Sequence, residues 1–403
     1  MGVSIWEGQK AERLAKAAES IAIALAKDIS IADYEQIRQI VQSGRAREYF
    51  QIGDQIVMNW NDGTNTYEMP WDVVDFGAVV DPDGNTHQNA MWLESHYGLP
   101  GLQFDGNEAF YVPSAEMDIG TYHFTIGNNW GTHCVKDKVY QFTTTAKVPA
   151  GGQLVLGTAS SDVSGLPDTN PSNWRVRVYS NGNQASPTEI LTLTEGSGGT
   201  DLGSLASDKK YSTSGINNMQ RSAYGYNRWG HSAMRQWLNS ELPAEQWWTP
   251  KNPFDHRPDY LASKRGFMAG LPSDFLAIVK PIRVTTALNT VSDVDIGTTE
   301  NTADRFFLAS LQQEFIAPQL ADVEGTRWEY WYERLNHTQH AQGGTRTEHI
   351  RYAIENHTSA QPVRLRSANR GGACSTWYVS SSGLASSNYA TAAHRPAPAC
   401  VIY

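Results

Sequence analysis

The chain has 403 residues, of which 40% are hydrophobic and 18% charged, with a formal net charge of −10. That composition is globular and excludes a disordered chain. It contains no Lys/Arg run of the kind a phosphate-backbone binder needs, so nucleic acid is excluded as an expected partner. No apolar run approaches the ~18 residues that cross a bilayer, and the first residues lack the basic start and apolar core of a secretion signal. The expectation is therefore a chain with no membrane partner. The length accommodates two to four domains, and the supply of 13 Trp, 18 Tyr and 34 Gly leans towards sheets and loops.

Residues 9–27 read as a helix, with Leu14, Ala18, Ile21 and Leu25 on a heptad seam. Two heptads do not hold alone, so residues 1–44 are expected to be a helical oligomerisation or attachment segment. Ser30 can cap a second helix running to about Gln42, with Ile31, Tyr34, Ile37, Ile40 and Val41 on one face and Gly44 at its end. Strands are expected over 49–60 and 66–76, joined by a turn at Asn61-Asp62-Gly63, and a further turn falls at Asp81–Gly84.

From 107 to 207 short alternating runs recur, at Thr121–Ile126, 139–145, 153–156, Trp174–Tyr179 and 189–194, separated by Gly/Pro/Asn/Ser turns. That spacing predicts a β-sandwich, and the Ser/Gly stretch 195–207 reads as its exit linker. Residues 208–403 are mixed. Ser232 can cap a short helix, 275–285 and 306–311 read as strands, and 328–335 reads as a helix.

Motifs that carry chemistry are sparse. His337 and His340 lack the glutamate of a zincin helix, and neither a phosphate-binding glycine loop nor a Gly-x-Ser-x-Gly elbow occurs. Asp293, Asp295, Glu300 and Asp304 could supply oxygens to a structural calcium, but their spacing is not an EF-hand and a solvated acidic loop is the stronger reading; no cofactor is expected. The Asn336–Thr338 and Asn356–Thr358 sequons have no secretion signal to give them meaning. Trp130, Trp229, Trp247 and Trp248 could stack on sugars, or could be core. Cys134, Cys374 and Cys400 show no metal spacing; a Cys374–Cys400 disulfide stays open, while an odd, sparse set fits a reducing compartment.

The last forty residues stand apart. Strand-like anchors at 363–366, 377–380 and 398–403 flank small and polar residues with no hydrophobic period. From Val363 to Tyr403 there is no Lys, Glu, Gln or Met, whereas residues 323–362 hold eight Glu and Gln. Codons ending in a fixed C cannot encode Lys, Glu, Gln, Met or Trp, and Trp377, in an anchor, is the exception. An ordinary small-residue β surface would look the same.

Residues 227–240, Asn-Arg-Trp-Gly-His-Ser-Ala-Met-Arg-Gln-Trp-Leu-Asn-Ser, resemble a segment of a phage and bacterial domain family of unknown function. Val-Arg-Leu-Arg-Ser at 363–367, Trp-Tyr-Val at 377–379 and Arg-Pro-Ala-Pro-Ala-Cys-Val-Ile at 395–402 resemble the end of the same domain. That ending is similar to the variable proteins of diversity-generating retroelements, in which adenine-directed mutagenesis rewrites chosen codons on the ligand-binding face. The resemblance covers 208–403, and Trp71–Asp75 extends it to 45–106, which would be the domain's first portion with the sandwich inserted.

It implies an α+β chain with a C-type-lectin-like C-terminal domain of the formylglycine-generating-enzyme type, an inserted or preceding all-β sandwich and an N-terminal helix. It implies a variable region over about 366–398, with Asn369, Gly371, Gly372, Cys374, Leu384, Ser386, Ser387, Asn388, Thr391, Ala392, His394 and Pro396 as ligand-binding positions. Arg366, Trp377, Tyr378 and Arg395 would be scaffold. The implied protein is a phage receptor-binding protein on the virion, not an enzyme. It would be a homotrimer that joins other virion proteins through its N-terminus and recognises a bacterial surface protein or glycan. A carbohydrate-binding module of fixed specificity and a formylglycine-generating-type enzyme are the alternatives. Cys374 at a variable position departs from the paired catalytic cysteines of those enzymes, and the near-absence of Tyr beyond Tyr389 departs from a strong display site.

Overall fold

The computed structural model describes residues 34–130, 134–158, 170–314, 323–334 and 347–403. The expected helix at 9–27, Ser30, Ile31, His337, His340 and the Asn336 sequon lie outside these residues. The fold is α+β with strands dominant, arranged in several sheets and, among the described residues, no barrel.

The described residues open on a helix, Tyr34–Gln42, that buries Tyr34, Ile37 and Val41. Tyr34 meets Phe275 with ring centroids 5.5 Å apart. Gly44 ends the helix at φ +78°, a conformation that side-chain-bearing residues avoid. A short helical turn, Ala46–Tyr49, occupies the start of the region expected as strand. Strand Gln55–Asn61 then folds back onto Thr66–Val80 through a turn in which the Asp62 carboxylate accepts from the amides of Thr64 and Asn65. Thr66–Val80 pairs with Thr86–Ser95, and the next neighbour is the chain's last strand, Pro398–Ile402. Phe307–Leu308 completes this five-stranded sheet.

The first strands and the last one therefore share a sheet, and they share a core. A single hydrophobic cluster runs from Tyr34 to Phe104 and resumes at Trp229, continuing to Ile402. Trp71, Met91, Leu93, Phe306 and Val401 lie at its centre, fully buried. The residues between belong to a second cluster, from Phe110 to Ala223. It fills the space between a four-stranded sheet that contributes Phe124, Tyr140 and Phe142 and a five-stranded sheet that contributes Leu154, Leu156, Val176 and Val178. This is a sandwich inserted into the larger body, reached by way of the buried Arg221–Glu108 ion pair at 2.7 Å, which Asn217 and Asn252 complete with amide donors.

Three expectations fail here. The stretch 195–207 is no linker. Thr200–Leu205 is an edge strand of the sandwich, parallel to Thr121–Ile126. The glycine just before it permits the approach: a Cβ on Gly199 would stand 1.8 Å from the Thr121 carbonyl oxygen. The apolar run 275–285 splits into a helix, Ser273–Ile278, and a strand, Ile282–Ala287. Pro272 and Asp274 suit a helix start, and Pro281 cannot continue one. The strand expected over 306–311 is confined to Phe307–Leu308, and Leu311–Glu314 is helical.

A second four-stranded sheet in the C-terminal half has the order Ala385–Tyr389, Ser375–Val379, Val363–Ala368, Arg395–Pro396. It carries the candidate site.

Candidate functional site

Every residue of Val363–Ala368 is buried, whereas no residue of Ala385–Tyr389 is fully buried. The two strands are separated by Ser375–Val379 alone. The inner strand is fixed by the large core through Leu365. Its Arg366 bonds the Leu308 carbonyl at 2.8 Å, the Gln313 side chain at 2.5 Å and the Glu324 carbonyl at 2.7 Å. Trp377 is buried in the same core, and Arg395 donates to the carbonyls of Gly98 and Leu99 and to Glu355. Arg366, Trp377 and Arg395 thus join this sheet to the rest of the body. Tyr378 is half-exposed and stacks on His394, with centroids 4.4 Å apart.

Side chains directly opposite one another across paired strands share a face. Ser386 stands opposite Tyr378 and Asn388 opposite Thr376, on one face. Ser387 stands opposite Trp377 and Tyr389 opposite Ser375, on the other. Contacts among the outer residues are mostly mutual: Asn369 donates to the Ser387 hydroxyl at 3.0 Å, and Asn388 contacts His394 at 3.2 Å. Leu384, Thr391, Ala392 and Gly372 are half-buried around this strand, and Gly371 is exposed.

Three of the positions taken for ligand-binding are not on the surface. Cys374 is buried, with its carbonyl accepting from the Ala390 amide, and burial pushes its thiol up to about 12. Pro396 is buried in the strand parallel to Val363–Ala368. His394 is buried beneath Tyr378. The Asn388 side-chain oxygen Oδ1 accepts from the Tyr389 amide, which turns its NH2 group towards His394 Nε2. The imidazole therefore accepts there and keeps its proton on Nδ1. Burial, and then the Arg364 charge, push its pKa down to about 3. Small or polar residues in a Ser/Ala-rich tail look displayed, but here neighbouring elements cover them.

Two contributors have no sequence signal. Tyr224, at the end of helix Met219–Tyr224, stacks on Tyr389 with centroids 3.9 Å apart and planes 13° apart. Trp130 of the sandwich lies against Tyr224 at 5.9 Å. The insertion therefore reaches the rim of the candidate surface. Trp229, Trp247 and Trp248, by contrast, are core. The other contributor is Arg364, buried under the outer strand.

The acidic residues considered for calcium do not converge. Asp293 bonds Tyr226, Asn289 and Ser292; Asp304 bonds Trp229, Arg235 and Thr302; Glu300 pairs with Arg228; Asp295 pairs with Lys210. Among the described residues no group of three or more His, Cys, Asp or Glu is placed to hold a metal. The three cysteines are buried and form no disulfide, so Cys374 and Cys400 are not joined. Among the described residues no helix is long and apolar enough to cross a membrane.

The model of a family described as a domain of unknown function, DUF6273, matches residues 205–402. No curated protein and no solved structure matches the chain. The matched stretch begins at the last residue of the sandwich's parallel edge strand and ends with the strand that enters the five-stranded sheet. The strands Gln55–Asn61, Thr66–Val80 and Thr86–Ser95 of that sheet precede it.

Proposed function

We propose that this chain is a recognition protein whose C-terminal sheet presents exchangeable side chains to a bacterial surface protein or glycan. In this reading the body formed by 45–104 and 229–402 is a C-type-lectin-like scaffold of the formylglycine-generating-enzyme type. The chain is the variable protein of a diversity-generating retroelement, carried on a phage virion as a trimer. Several copies acting together compensate for weak single sites.

The observation that carries the reading is the edge strand Ala385–Tyr389, half-buried along its whole length and paired on one side with Ser375–Val379, which is anchored in the core through Trp377 and Val379. The surface comprises Asn369, Gly371, Gly372, Leu384, Ser386, Ser387, Asn388, Thr391 and Ala392, without the buried Cys374, His394 and Pro396. The buried thiols favour recognition over catalysis, because the thiolate, not the thiol, is the nucleophile.

The test is binding of the labelled full chain to a panel of bacterial strains, before and after exchange of Ser386, Asn388 and Thr391. Altered strain preference with an unchanged melting curve is the expected result. Unchanged preference across such exchanges would remove the reading. Sequencing of the flanking DNA adds an independent arm: a template repeat differing from the codons for 366–398 only at adenines is expected beside a reverse-transcriptase gene.

A further inference from the structure

A surface that exchanges its side chains needs a backbone that does not depend on them. Arg364 meets that need. Its side chain is buried on the inner strand Val363–Ala368, beneath the outer edge of the sheet. Nη1 donates to the Thr376 hydroxyl at 2.7 Å and to the carbonyls of Thr376 at 3.4 Å and Asn388 at 3.2 Å. Nη2 donates to the carbonyls of Tyr389 at 3.0 Å and Ala392 at 2.6 Å. Within the outer segment every one of these acceptors is a main-chain oxygen.

The guanidinium thus ties the middle strand, the end of the edge strand and the following turn to one point. Its planar, multi-donor head suits several fixed carbonyls at once, which a lysine ammonium on a flexible stem does not. None of these acceptors is a carboxylate, and burial pushes the Arg364 pKa down to about 9. The group keeps its charge at neutral pH, so the carbonyl dipoles compensate for a cation withdrawn from water, and the bonds are of the stronger, charge-assisted kind.

We propose that Arg364 is the positioning residue of the recognition surface: it holds the backbone of residues 388–392 through carbonyl oxygens alone, leaving the side chains at 388, 389 and 392 free to change. The inference rests on the recognition reading for its purpose. Its test needs no ligand, so it can fail while that reading stands, and the reverse.

The experiment is hydrogen exchange of the full chain, read at the amides of Ala390, Thr391 and Ala392, whose acceptors are the carbonyls of Cys374, Tyr224 and Tyr389. In Arg364→Lys these amides are expected to exchange roughly tenfold faster or more, the scale set by losing hydrogen bonds to a charged group. The amides of Leu93 and Val401 in the five-stranded sheet should keep their protection. In the triple variant Asn388→Ser, Tyr389→Ser, Ala392→Ser the three reporter amides should stay within about threefold of wild type, on the same scale. Arg364→Lys with unchanged exchange at these amides would overturn the proposal. Loss of protection in the triple variant equal to that in Arg364→Lys would overturn it as well, since the side chains and not the carbonyls would then be holding the segment. Should Arg364→Lys fail to fold, Thr376→Val, which removes one acceptor, is expected to raise exchange at the same amides, and the triple variant still decides the side-chain question.

Discussion

Val363–Ala368 and Ala385–Tyr389 belong to one sheet, yet their residues and their surroundings are opposite. In the inner strand Leu365 enters the core, Arg366 binds Leu308, Gln313 and Glu324, and Ser367 bonds the Glu324 carboxylate at 2.5 Å. In the outer strand Ser387 meets Asn369, Asn388 meets His394 and Tyr389 meets Tyr224. The inner strand is fixed by its side chains. The outer one is fixed by main-chain pairing and by Arg364 from below. The difference separates fold from display within a single sheet, and it can be broken experimentally.

The largest effect belongs to the inner strand. Leu365→Ala removes a fully buried side chain and is expected to cost about 2–5 kcal/mol in a denaturant titration. A loss below ~1 kcal/mol, the scale of an ordinary surface change or a mild one, would mean that the inner strand is not anchored as described.

An intermediate effect belongs to the border between the two, at His394. Its folded pKa is pushed from 6.5 down to about 3. The unfolded chain therefore binds a proton at acid pH that the folded chain refuses. The sign is that stability is full above about 6.5, falls as pH drops below that value, and levels off near about 3. His394→Gln should flatten the melting temperature between pH 7 and pH 4 relative to wild type. Parallel curves for the two proteins would mean that His394 titrates in the folded state as freely as in the unfolded chain.

The smallest effect belongs to the outer positions. Ser386→Tyr with Thr391→Tyr should change stability by no more than about 0.5 kcal/mol, as surface substitutions do. A loss of several kcal/mol would place those side chains in the fold and not on display.

Sequence reading went furthest where burial is one-sided. Thr121–Ile126 alternates and is half-buried in the same alternation, as is Val139–Thr143, and Trp174–Tyr179 stands where its hydrophobic pattern placed it. Thr200–Leu205 was illegible because an edge strand carrying Gly203 and mostly half-exposed residues has no hydrophobic period to show. The helix Ser273–Ile278 was hidden inside an apolar run, because a short apolar run reads alike as helix or strand. The outer surface was legible in part. Ser386, Ser387 and Asn388, implied by the resemblance, are half-buried on the edge strand, but three positions implied in the same way are buried: Cys374, His394 and Pro396. Their burial depends on residues far along the chain: Leu102, whose amide bonds the His394 carbonyl, and Gln220, whose side chain bonds the amide next to Cys374. Arg364 was invisible for the same reason, since its acceptors at 376, 388, 389 and 392 are backbone atoms that composition cannot reveal.

The most direct measurement is a pair of libraries in the full chain, each sorted for resistance to proteolysis and sequenced. One randomises Leu384, Ser386, Ser387, Asn388, Thr391 and Ala392, and the other randomises Val363, Leu365, Ser367, Trp377, Val379 and Val401. If the outer strand displays its side chains, the first library keeps broad amino-acid diversity after sorting while the second returns to the parental residues or close apolar substitutes. If both libraries return to the parental residues, the outer strand is part of the fold and the separation of fold from display is wrong.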